Sequence, residues 1–170
     1  TRKVDMALVK KFALAALMLV SFLGFARATS LEEQEALSAR SIEMWANGNT
    51  ELVDETFADG YLNHQEPDVQ GGTLTLTTDQ WVTLLHQYHE SFPETTVEIL
   101  MQVAQDDLVA TRWRFTATQT GTYLGLAPTG RTVTWTGTQI DRFEDGLIAE
   151  TWVNWDMYGM FEQLGLLHQN

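Results

Sequence analysis

The apolar residues of this chain fall into two rhythms, helical spacing in its first half and alternation in its second. Ser30-Leu31-Glu32-Glu33 places a hydroxyl at a helix cap and a glutamate three residues later, a capping box. The spacing of Leu37, Ile42, Met44 and Trp45 predicts a helix behind it, stopped by Asn47-Gly48-Asn49. A second, short helix is expected over 50–57, leading into the turn and brief extended segment "ADGYLNHQEP", while "DVQGGTLTL" reads as loop. Thr77-Thr78-Asp79-Gln80 starts another helix, with Trp81, Leu84, Leu85, Tyr88 and Phe92 at helical spacing up to Pro93.

Beyond Pro93 the period drops to two. Residues 95–104, 108–118, 131–143 and 147–154 are rich in Val, Thr, Trp and Ile and read as strands. Asp106-Asp107 and Glu144-Asp145-Gly146 supply hairpin turns, and "GTYLGLAPTG", 121–130, a longer connection. A last helix runs from Met157 to Leu164 and ends at Gly165. Helices followed by an antiparallel meander predict an α+β domain in which helices pack on the concave face of a curved antiparallel sheet and enclose a conical pocket.

Residues 1–28 stand apart from that domain. Arg2, Lys3, Lys10 and Lys11 precede an uncharged run from Phe12 to Phe25, closed by Ala26-Arg27-Ala28, the small-x-small pattern of signal-peptidase sites. The run is shorter than the roughly 20 residues of a spanning helix. The expectation is therefore a signal peptide over 1–28, with Met6 a possible start, cleavage after Ala28, and a mature domain over 29–170 that is periplasmic or secreted and not stably held at a membrane. Five of the ten basic residues and one of the 23 acids lie in 1–28, which leaves five arginines against 22 acids, a net charge of −17. Such a surface excludes nucleic acid as a partner, because phosphates need clustered cations. The absence of cysteine excludes a disulfide framework, thiol catalysis and thiolate metal sites.

"SFPETTVEIL", "VATRWRFTATQTGTYLGLAPTGRTVTWTGTQIDRFEDGLIAETW" and "DMYGMFEQLG" resemble the SnoaL-like polyketide cyclases and the ester-cyclase-like proteins around them. The likeness covers about 32–165. It implies the nuclear-transport-factor-2-like cone fold, a homodimer through the outer face of the sheet, and ring closure by intramolecular aldol chemistry without metal or organic cofactor. The family's acid/base aspartate on the last strand falls at Val153 and its histidine, one strand earlier, at Gln139. Valine moves no proton, and glutamine hydrogen-bonds but is no base. Limonene epoxide hydrolases, of the same fold, place an acid at that last-strand position too. The resemblance thus carries the fold further than the reaction.

His64 lies where related cone-fold isomerases carry a carboxylate base, and a neutral imidazole takes a proton near neutral pH, so it is the first candidate base. The competing reading is a loop-edge histidine bonded to backbone or solvent. Asp141 shares the parity of Gln139 and is the candidate pocket acid in place of Val153. Tyr61 and Asn63 are placed to orient a substrate oxygen, and Gln139 with Asn63 to polarise it. Trp113 and Phe115 share a strand face with Val109 and Thr111 and are candidate pocket walls, with Arg112 and Arg114 turned outward. Trp81, Leu85 and Tyr88 form a helix stripe read first as core and second as pocket lining. His86 and His89 lie off that stripe; with His64 they make no convincing zinc set, so no metal is expected. Asp156 reads as the cap of the last helix, and Glu150 as an outer-face ion-pair partner of Arg114 or Arg142.

Three functions remain open on these grounds: a cofactor-independent isomerase, cyclase or lyase acting by proton transfer, with a small hydrophobic molecule as substrate; a non-catalytic periplasmic carrier of such a molecule; and a dimerising module with a filled cone.

Overall fold

The computed structural model describes residues 29–66 and 73–167. The predicted signal peptide lies outside the described residues. Helix α1, Leu31–Asn47, opens on the expected capping box: the Glu33 amide donates to Ser30 Oγ at 3.1 Å and the Ser30 amide to Glu33 Oε2 at 2.9 Å. It closes on Gly48 at φ +69°, a left-handed cap that glycine adopts freely. Strand β1 (Phe57–Glu66), strand β2 (Leu74–Thr77) and helix α2 (Thr78–Ser91) follow. Strands β3 (Thr96–Gln105), β4 (Leu108–Thr118), β5 (Thr132–Glu144) and β6 (Leu147–Trp155) form the meander, and helix α3, Met157–Leu164, follows it. Asp156 caps α3, its carboxylate accepting from the Gly159 amide at 2.8 Å.

Two expectations change. Residues 50–56 form successive turns, not a helix, because Phe57 is drawn into β1 and pairs with Ile148, where both side chains are buried. The segment read as loop contains β2, and the "brief" extended segment is a ten-residue strand. The sheet is accordingly six-stranded and mixed, in the order β2-β1-β6-β5-β4-β3, with β1 parallel to β6 and every other neighbour antiparallel.

All three helices contact the sheet, and its inner face carries the core. Alternation sorts that face into layers. Val109, Phe143 and Ile148 join one apolar cluster with Met44, Tyr61 and Trp81. Trp113, Trp135 and Val153 join a second with Ile42, Tyr88 and Met160. Between them β4 supplies Thr111, β5 supplies Gln139 and Asp141, β6 supplies Thr151, and α1 supplies Ser38 and Ser41, all buried. A polar layer thus divides two hydrophobic ones.

Candidate functional site

A cavity of about 110 Å³ opens between the helices and the inner face of the sheet. Its wall is largely aromatic: Trp45 from α1, Tyr61 from β1, Trp81 and Tyr88 from α2, Trp113 and Phe115 from β4, Trp135 from β5, Trp155 from β6 and Tyr123 from the long connection. Trp45 meets Trp81 and Tyr88 edge-on at 5.7 and 5.5 Å, and Phe115 lies 5.6 Å from Trp135, so the wall is held by ring contacts. Trp113 lies over Gly137 in the neighbouring strand; a Cβ there would collide with the indole and stand 2.9 Å from the Asn154 carbonyl oxygen. Glycine at 137 is what admits the tryptophan.

Ile42, Leu84, Val153 and Met160 complete the apolar wall, and its polar part is uncharged: Ser41, Asn63, Gln65, Gln139 and Thr151. Behind it lies Asp141, fully buried. Its Oδ2 accepts from Ser38 Oγ at 2.6 Å and from Gln139 Nε2 at 2.7 Å, and its Oδ1 from Thr151 Oγ1 at 2.6 Å. Burial pushes the carboxyl up to about 6, against the opposing pull of Ser38, Thr151 and Gln139. The network continues outward. Asn63 Nδ2 donates to Tyr61 Oη at 2.8 Å, Gln65 Nε2 donates to Asn63 Oδ1, and Thr151 lies beside the Tyr61 phenol. Burial also drives the Tyr61 phenol upward, keeping it protonated.

The sequence candidates separate cleanly. Tyr61, Asn63, Trp81, Tyr88, Trp113, Phe115, Gln139 and Val153 all line the cavity. Asp141 stands one step behind it. His64 does not reach it: the parity of β1 that turns Asn63 inward sends His64 to the outer face. There it bonds Glu150 Oε1 at 2.8 Å and Thr75 Oγ1 at 2.9 Å and stacks on Trp152. Glu150 is held below the usual carboxylate range by His64 and then Arg142, while Arg114 pairs with Glu98 instead. Among the described residues no group of His, Cys, Asp and Glu is placed to hold a metal. Sequence reasoning missed Ser38, Ser41, Thr151 and Gln65. The signal was available for the serines, two small polar positions three apart on the helix face that also carries Ile42.

The model of the SnoaL-like polyketide cyclases matches residues 35–164. Among solved structures, AclR of Streptomyces galilaeus, a proposed hydroxylase, is 26% identical with a TM-score of 0.70, over 81% of this chain and 88% of its own. IdmH of Streptomyces antibioticus, a proposed polyketide cyclase, is 27% identical with a TM-score of 0.68, over 78% of this chain and 98% of its own. A proposed polyketide cyclase of Acidithiobacillus ferrooxidans, 24% identical with a TM-score of 0.68 over 78% and 94%, shares the fold. No curated protein sequence matches significantly. With its family match spanning the sheet, the helices and the cavity between them, the chain belongs to the SnoaL-like polyketide cyclase family.

Proposed function

We propose that this protein is an exported, cofactor-independent member of the family that binds one small, planar, largely hydrophobic molecule in the aromatic cavity. One observation carries the reading: nine aromatic side chains face a cavity whose polar wall is uncharged and backed by the buried carboxylate of Asp141. Aromatic walls favour a flat apolar body, and the polar wall fixes one oxygen-bearing end. An engineered cavity of about 150 Å³ holds benzene. The space here, about 110 Å³ and open on one side, is of that order and suits a single ring, while a larger ligand extends outward past Tyr123 and Trp155. Export is supported by the leader-like residues 1–28.

A second reading, proton-transfer catalysis beside a carbonyl, is favoured by Asp141. Its carboxyl, pushed to about 6, is poised to gain or lose a proton near neutral pH and connects to the cavity through Thr151 and Gln139. Asp141 would then act through those residues as a positioning group. Against it, Val153 and Gln139 occupy the positions where the resemblance expects the acid and the histidine. Asp141→Asn separates the two readings. For an enzyme, turnover of a bound panel compound falls at least about a hundredfold and the pH limb near 6 vanishes. For a carrier, ligands leave chemically unchanged from both proteins.

A further inference from the structure

Resting on that ligand-binding reading, the hydrogen-bond network fixes what kind of polar group the cavity accepts. An ionised carboxylate has no proton to give, so every polar neighbour must donate to it. Ser38, Thr151 and Gln139 all do. Each donation sets the next group's orientation. Thr151 gives its proton to Asp141, Tyr61 accepts from the Asn63 amide, and the Asn63 carbonyl accepts from the Gln65 amide. The arm toward α1 runs the same way, with Gln102 Nε2 donating to Thr111, and Thr111 bonded to Ser38 at 2.8 Å. The carboxyl sits near 6 and is therefore ionised at neutral pH.

Gln139 is where this polarity meets the ligand. Both of its amide protons are committed, one to Asp141 at 2.7 Å and one to Ser41 Oγ at 2.9 Å. Turning the amide over would set its carbonyl oxygen against the carboxylate, a repulsion in a dry site. Its Oε1 is left without a partner among the described residues, on a side chain that lines the cavity. Gln139 therefore cannot polarise a ligand carbonyl, the role its residue type first suggested. Trp113 offers the opposite chemistry, a buried indole N–H with no acceptor among the described residues.

We propose that Asp141, by turning the protons of this wall toward itself, leaves Gln139 Oε1 as a fixed acceptor, so that the cavity selects planar ligands bearing a hydroxyl donor, a phenol or an enol. Asp141 is the positioning residue and Gln139 the one that touches the ligand.

Matched ligands test this. The full chain is titrated calorimetrically at pH 7.5 with 4-chlorophenol, 4-chloroanisole and 4-chloroacetophenone, which share a ring and differ in whether they donate. A merely apolar cavity binds the ether at least as well as the phenol, because the hydroxyl loses water without replacement. A fixed acceptor makes the phenol bind about tenfold tighter than the ether or ketone. Gln139→Leu is expected to bring that ratio to about one or below while the ether still binds, and Asp141→Asn, which lets Gln139 turn, to narrow it. The ratio within each protein is the readout, so a general loss of affinity does not mimic the effect. If a variant does not fold, the wild-type ratio still decides. Ether or ketone binding as tight as phenol in the wild type overturns the acceptor assignment. Failure of all three compounds to bind sinks the ligand-binding reading itself.

Discussion

At the scale of single residues, Asp141 decides the most. A carboxyl raised from 3.8 to about 6 on folding stabilises the folded state fully below pH 3.8, and that contribution disappears as pH rises through 6. The swing is on the order of 3 kcal/mol. Asparagine at this position does not titrate. Relative to Asp141→Asn, the wild type should therefore lose about that much between pH 3.8 and 7, read from denaturant midpoints at several pH values. A constant difference across the range would mean that the carboxyl is not held up. The inward parity of Asp141 was legible, because it lies two residues from Gln139 on the same face of one strand. Its partner Ser38 lies 103 residues away, and no local pattern joins them.

At the scale of elements, the four meander strands and the two tight turns among them were readable to within a residue or two because period two and turn chemistry agree. Asp145 and Gly146 both adopt positive φ, 50° and 87°, as a tight hairpin between β5 and β6 demands. The parallel pairing of β1 with β6 was not readable, since it joins segments some 90 residues apart and β1 is short of β-branched residues. That pairing settles His64: registered against Trp152 and Thr75, it belongs to the outer face. The pairing of Trp113 with Gly137 gives an element-scale test. Gly137→Ala forces the indole aside or the strands apart and should cost about 1–3 kcal/mol with weakened ligand binding. An unchanged denaturation midpoint would show that the close approach does not matter.

At the scale of the whole molecule, the outer face of the sheet carries an uncommon feature for so acidic a chain. Val103, Ala110, Ile140, Trp152 and His64 fall in register across five strands, with Val103 58% and Ile140 41% exposed. Met101 beside them is 61% exposed. The apolar stretch of that row, Val103 to Trp152, marks an association surface on the open sheet, and we propose that it mates with the same row of a second copy, as the family resemblance implies. Light scattering of the purified chain should then give twice the monomer mass, and Ile140→Glu the monomer mass with the cavity intact. A monomeric wild type would remove the dimer.

The central claim is that the aromatic cavity is a ligand site, and its most direct test is to locate a ligand there. A crystal of the full chain soaked in 4-bromophenol should show an anomalous bromine peak between the cavity tryptophans, with the hydroxyl oxygen within hydrogen-bonding distance of Gln139 Oε1. Bromine found only on the outer face of the sheet, with the cavity empty or closed at saturating ligand, would contradict the account.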